Sequence, residues 1–92
     1  MRHKLSRRAE ADLQEIYGYT LRAFGPRQAE KYLKDLSRTF ELIAEYPQSG
    51  PLYEGKTRQF LHGSHIILYR VHDEGILIGR IFHGAQRRPP AS

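Results

Sequence analysis

Five residues in the C-terminal third of the chain are of types that could act together on a phosphodiester: His65, Tyr69, Arg70, Arg80 and His83. Cleavage of RNA through its own 2′-hydroxyl needs a base, an acid for the leaving oxygen and positive charge on the phosphate. Histidine supplies acid or base near neutral pH, and arginine supplies the charge. Strand parity divides this set, because successive side chains of a strand point to opposite faces. His65 and Tyr69 share a face while Arg70 takes the other, and Arg80 and His83 likewise fall on opposite faces. One coherent site therefore uses only part of the set. Residue types alone weigh more toward Tyr69 packing in a core, with the arginines on an outer face.

Other candidate chemistry is thinner. His62 and His65 have an H-x-x-H spacing, but three apart on a continuous strand they diverge, and they meet only if Gly63 bends the chain. No metal is expected, and no cofactor. Glu10, Asp12 and Glu15 interleave with Arg7, Arg8 and Arg22 at spacings that read as helix-surface ion pairs. Gly50, Gly55 and Gly63 are too scattered for a phosphate-binding loop, and Ser6, Ser37, Ser49 and Ser64 have no nucleophile context.

Two β-patterned runs position the candidate residues, His65 to Val71 and Ile76 to His83, on either side of an Asp73-Glu74-Gly75 tip that reads as a tight hairpin with glycine at positive φ. Upstream, Arg2 to Leu5 is a short edge strand and Ser6 an N-cap. Arg7 to Phe24 carries Ala9, Leu13, Ile16, Tyr17, Thr20 and Phe24 at helical spacing. Gly25-Pro26 stops that helix and starts a second, Pro26 to about Glu45, with Ala29, Tyr32, Leu33, Leu36, Phe40, Ile43 and Ala44 on its stripe. So short a break predicts an antiparallel helical hairpin. Tyr46-Pro47 closes the second helix. Gln48 to Lys56 reads as a loop, followed by strands Thr57 to Leu61, Ser64 to His72 and the last run. The expected fold is α+β, with an N-terminal strand and an antiparallel helical hairpin packed on a small antiparallel sheet in the order β-α-α-β-β-β. A single domain over 1–84 is followed by a basic tail, 85–92, expected to be poorly ordered. The tetrapeptides Leu61-His-Gly-Ser and Phe82-His-Gly-Ala look alike but have no matching flanks, and read as coincidence.

With 92 residues the chain has room for one core, and it carries a net charge of +5 with fifteen basic residues, mostly arginine. That balance favours polyanions or acidic proteins as partners. The absence of cysteine excludes disulfides, thiolate zinc sites and cysteine nucleophiles. No apolar run is long enough for a bilayer, Met1-Arg-His-Lys lacks a signal-peptide apolar region, and the expected compartment is the cytoplasm. Six tyrosines are many for this size. Tyr17 and Tyr19 are two apart on a helix, so one is at least partly exposed, as on protein-binding surfaces.

Leu5-Ser6-Arg7-Arg8-Ala9 with Asp12-Leu13 and Ile16, then Tyr19-Thr20, Phe24-Gly25 and Gln28-Ala29, resembles the start of ParE-type toxins. Phe40, Leu42, Pro47, Gly50, Arg58-Gln-Phe60, Gly63-Ser-His65, Tyr69-Arg70 and Arg80-Ile-Phe-His83 continue the pattern over about residues 4 to 84. The resemblance implies the RelE/ParE superfamily of type II toxin–antitoxin systems. It also implies a cognate antitoxin whose acidic C-terminal segment folds on binding, in a hetero-oligomer. ParE-like members poison DNA gyrase by protein–protein contacts and have no catalytic residues of their own. RelE-like members are ribosome-dependent mRNA endoribonucleases. Ile66, Ile67 and Leu68 stand where a RelE-like nuclease would carry a catalytic basic residue, no tyrosine follows Tyr69, and His83 matches the ParE-like pattern. The gyrase branch is therefore expected, with Arg58, Phe60, His65, Tyr69, Arg70, Arg80 and His83 as partner-binding residues. Were the chain a nuclease, His65, Arg80 and His83 would react. Gly84-Ala-Gln-Arg87-Arg88 departs from the arginine and acidic residue that often follow that histidine. Sequence-specific nucleic-acid binding is not expected, since no groove-reading helix or RNA-recognition motif is present.

Overall fold

In a computed structural model, described over residues 2–86, the chain runs β1 (Arg2–Leu5), α1 (Arg7–Phe24), α2 (Pro26–Glu45), β2 (Leu52–Glu54), β3 (Thr57–His62), β4 (His65–His72), β5 (Gly75–His83) and a 3₁₀ turn, Gly84–Gln86. The five strands form one sheet in the order β1-β5-β4-β3-β2. β2 to β5 are antiparallel neighbours, but β1 lies parallel to β5, from Arg2 opposite Gly75 to Leu5 opposite Ile78. The sheet is therefore mixed, because the helical hairpin carries the chain across between its first strand and the rest. The loop expected over Gln48 to Lys56 contains the short edge strand β2. Residues 87–92 of the basic tail lie outside the described residues. No helix among the described residues is long and apolar enough to cross a membrane.

Ser6 makes the corner between β1 and α1. Its N–H donates to the Ile78 carbonyl at 2.9 Å, its hydroxyl accepts from Ala9 N–H at 3.0 Å, and the same hydroxyl donates to the Gly79 carbonyl at 3.0 Å. One side chain thus caps a helix and extends the sheet's bonding beyond the end of β1. At the far end of α1, Gly25 adopts φ 93°, where an L side chain is strained, and Pro26 follows as the first residue of α2.

Both helices pack on one face of the sheet. Leu36, Phe40, Ile43 and Ala44 of α2 and Ala9 and Ile16 of α1 meet Ile67, Tyr69, Ile76, Ile78 and Ile81. Burying side chains the size of Leu36 or Phe40 stabilises by about 1.5–3 kcal/mol each. The buried stripe of α1 is Ala9, Asp12, Ile16 and Thr20, turned from the expected one, and Phe24 is 66% exposed. Tyr19 is the exposed member of the Tyr17/Tyr19 pair.

Two glycines answer to close approaches. The Asp73–Glu74 turn joins His72 to Gly75, so Gly75 is the first residue of β5 and not the hairpin tip, and a Cβ there would run into the Arg2 carbonyl of β1. Gly50 sits in a corner where Tyr69 holds the loop after α2: the Tyr69 hydroxyl accepts from Gly50 N–H at 3.0 Å and donates to the Pro47 carbonyl at 2.8 Å. Arg58 closes the corner with a 2.7 Å bond to the Gly50 carbonyl. A Cβ at Gly50 would meet the Gln59 carbonyl and the Tyr69 hydroxyl. Tyr69→Phe is expected to lower stability by about 1–3 kcal/mol, because a buried N–H loses its acceptor. Urea unfolding measures this, and an unchanged midpoint would show that the corner closes without the hydroxyl.

Candidate functional site

β1 ends at Leu5, so β5 has no neighbouring strand on that side beyond Ile78. Helix α1 fills the place. The Asp12 carboxylate, on a residue 7% exposed, accepts from Ile81 N–H at 2.9 Å and from Arg80 Nε at 2.9 Å through the same oxygen. Arg8, one turn earlier on α1, sits 3.8 Å from the other oxygen. Asp12 thus keeps the ion pair with Arg8 that its spacing suggests, but it is buried and also ties helix to sheet. Arg80 also lies over the Phe82 ring, 5.7 Å from its centroid. Alongside this tie opens a groove of ≈ 860 Å³ between α1 and the end of the sheet, lined by Asp12, Glu15 and Tyr19 on the helix and by His65, Arg80, Phe82 and His83 on the strands.

The histidines gather at the end of the sheet. Gly63, at φ 57°, bends the chain between β3 and β4 and sets His62 opposite His65. His65 in turn is opposite His83. Paired positions share a face, so three histidines stand in one row across three strands. The His65 and His83 rings are 5.6 Å apart, edge to face. From α2, the Tyr32 hydroxyl lies 2.6 Å from His65 Nδ1, and Thr39 Oγ1 lies 2.8 Å from His62 Nδ1. The two similar tetrapeptides also come together here, Gly84 N–H donating to the Ser64 carbonyl at 2.7 Å. Among the described residues, no group of three or more histidine or acidic side chains is arranged to hold a metal ion.

Of the seven residues expected to bind a partner, His65, Arg80 and His83 line the groove. Arg70 is exposed elsewhere on the sheet, its Nε donating to Thr57 Oγ1 at 3.2 Å. Phe60 is partly buried against the core, and Arg58 is held at the Gly50 carbonyl. Tyr69, 1% exposed, has its ring in the core and offers a partner no surface. Sequence reasoning missed Asp12, Tyr32 and Thr39 as site-building residues. The signal for Asp12 was its place in the series Ala9, Asp12, Ile16, Thr20 at three- and four-residue steps.

Two outcomes follow from these ties. Asp12→Ala leaves Ile81 N–H and Arg80 without their acceptor and is expected to cost about 3 kcal/mol, whereas Asp12→Asn keeps an acceptor oxygen and is expected to cost about half as much. Equal losses in chemical denaturation would mean that the backbone bond contributes nothing. Burial, then the neighbouring His83 and His62, push the His65 imidazole below its ordinary value. The folded chain therefore binds fewer protons than the unfolded one as pH falls, and stability drops below the ordinary histidine value of about 6.5 toward the lowered folded value. Thermal unfolding at pH 7.5 and pH 5.5 should show a smaller drop for His65→Asn than for the parent chain; an identical drop would remove His65 from the account.

Comparison with known proteins agrees with this architecture. The family described as "ParE toxin of type II toxin-antitoxin system, parDE" matches residues 4–88. The chain is 42% identical over 72 residues to Toxin ParE1 of Caulobacter vibrioides, covering 75% of each chain. It is 36% identical over 90 residues to Toxin ParE1 of Mycobacterium tuberculosis, covering 89% of this chain and 88% of that one. Among solved structures, a chain of the chromosomal ParDE toxin–antitoxin system from P. aeruginosa superposes with a TM-score of 0.79 at 26% identity, covering 90% of this chain and 95% of that one. The RelBE2 toxin–antitoxin complex of Mycobacterium tuberculosis shares the fold, with a TM-score of 0.58 at 21% identity over 88% of this chain and 94% of that one. A first strand parallel to the last, a helical hairpin over the sheet and a sequence match spanning nearly every described residue lead to one assignment: the chain belongs to the ParE toxin family of type II toxin–antitoxin systems.

Proposed function

We propose that this toxin acts in the cytoplasm by inhibiting DNA gyrase through protein–protein contacts, and that a cognate acidic antitoxin neutralises it. The observation that carries the reading is the commitment of Arg80. Its guanidinium is held by the Asp12 carboxylate, which offsets the charge a phosphate would need. Tyr69 is spent in the same way on Pro47 and Gly50. A protein whose basic and phenolic groups are tied into its own frame acts more readily by shape and surface than by bond cleavage.

The groove beside α1 suits the antitoxin. It runs along an edge of β5 that has no strand beyond Ile78, and it combines apolar Phe82 and Ile16 with Arg8, whose basic side chain is largely exposed. A segment that folds on binding, apolar on one side and acidic on the other, would cover both. The chain's net charge of +5 favours such a partner's approach.

A second reading, mRNA cleavage on the ribosome, draws on the nearness of the His65 and His83 rings in that groove. Purified, antitoxin-free protein incubated with gyrase and supercoiled plasmid separates the two. Linear DNA that appears in proportion to toxin, requires gyrase and disappears with antitoxin is the expected result. Arg70→Glu, on an exposed side chain, should reduce trapping about tenfold or more at unchanged stability, as reversing one interfacial charge commonly does. An inert toxin in this assay, with messenger cut on ribosomes in a manner abolished by His65→Ala, would transfer the assignment to the nuclease.

A further inference from the structure

One face of the sheet is packed against the helices; the other carries none among the described residues. The core fixes which side chains take which face. Tyr69, Ile76 and Ile78 point to the helices, so Arg70 and Leu77, paired across β4 and β5, point away from them. On β1, His3 packs against the Phe40 ring, so Arg2 and Lys4 also stand on the outer face. Lys4 is opposite Leu77 and Leu77 opposite Arg70; Arg2 is opposite Gly75 and Gly75 opposite His72. Two rows thus cross the same three strands, each ending in arginine, lysine or histidine side chains. Sheet geometry sets the rows about 7 Å apart and their ends about 10 Å apart. Gly75 has no side chain and Leu77 is half-buried, and between the row ends lies a depression of ≈ 230 Å³ whose lining includes Arg2, Lys4, His72 and Leu77.

The charge at this corner is not spent inside the chain. Arg2, Lys4 and Arg70 are exposed, and among the described residues none of them forms an ion pair. Arg70 Nε is held by Thr57 Oγ1, a neutral acceptor that fixes the guanidinium on the face and leaves its charge uncompensated. Arg80, farther along the same face, differs in being held by Asp12. Glu74 lines the depression with Asp73 beside it in the turn, and Glu54 lies two strands beyond Arg70 on β2. We infer that this corner of the open face docks on the phosphate backbone of duplex DNA, with Arg2, Lys4 and Arg70 each meeting one phosphate. The floor is aliphatic and carries no aromatic side chain, the kind of anchor on which a protein interface depends, so a polyanion fits better than an acidic protein. The same lack removes the stacking platform that a single-stranded nucleic acid needs. Contacts of this kind hold a duplex without reading its sequence, in keeping with a chain that has no groove-reading helix. The choice of DNA over duplex RNA rests on the gyrase reading, since that enzyme holds a DNA duplex.

The contact is tested on the free chain without gyrase, so this inference and the gyrase reading can each fail alone. Neutralising three phosphates releases counterions, so duplex affinity should fall about fortyfold between roughly 20 and 80 mM salt, and only about twelvefold in Lys4→Gln, which keeps two of the contacts. Fluorescence anisotropy with two short duplexes of unrelated sequence measures this, and the two should bind equally. In the parent chain, amide NMR shifts on adding duplex should gather at Arg2 to Leu5 and Arg70 to Leu77, while Asp12, Glu15 and His83 of the groove stay still. Shifts centred on the groove or the helices, an unchanged salt dependence in the variant, or no binding at the lower salt would overturn the proposal. So would poly-glutamate of matched charge that moves the same amides as strongly as the duplex, since the corner would then be a surface for acidic protein. Lys4 is an exposed side chain on an edge strand, and the shift map of the parent chain needs no variant.

Discussion

Everything in the arrangement of helix and sheet depends on one buried carboxylate. An unpaired charge is costly to desolvate, so Asp12 can be 7% exposed only because Ile81 N–H and Arg80 meet it. The pairing works in the other direction too. A strand edge with no neighbour leaves backbone groups that must be satisfied: where β1 stops, Ser6, the cap of α1, donates to the Gly79 carbonyl, and Asp12 of α1 accepts from Ile81 N–H. The helix is therefore bonded to the sheet as well as packed on it, and the groove beside it takes its shape from that bond.

The same economy explains why the residues that identify the family say little about its target. Pro47, Gly50, Arg58 and Tyr69 carry the resemblance, and all four meet in one hydrogen-bonded corner that fixes the loop after α2. Arg80 is held by Asp12 and His65 by Tyr32. A pattern made of such residues records how the chain folds. Tyr19, Phe24 and Arg70, by contrast, are exposed and take no part in that corner.

Periodicity and turn chemistry were enough to read the helices and the three long strands, because Gly25-Pro26, Tyr46-Pro47 and Gly63 mark their boundaries by local sterics. The parallel pairing of β1 with β5 is a long-range choice with no local signature. All three residues of the short strand Leu52–Glu54 are exposed, so it lacks an alternating pattern. Within the site, residue types pointed to His65, Arg80 and His83 together, which line one groove. Parity arguments separated His62 from His65, and the bend at Gly63 reunites them. Asp12 read as a surface charge because helix spacing gives it Arg8 as a ready partner, and nothing local announces Ile81, 69 residues away.

The placement of the first strand also sets an order of events in synthesis. Among the described residues, Arg2 to Leu5 find their only strand partner in Gly75 to Ile78, and Ser6 reaches 73 positions ahead to Gly79. Helices form from local contacts early, but closing so long a loop waits until the far strand exists. A nascent chain halted before β5 keeps Asp12 without its partners and the sheet without its edge. The folded toxin thus comes into being only once β5 has been synthesised, and a product terminated before that strand is an incomplete fold and not a shortened weapon.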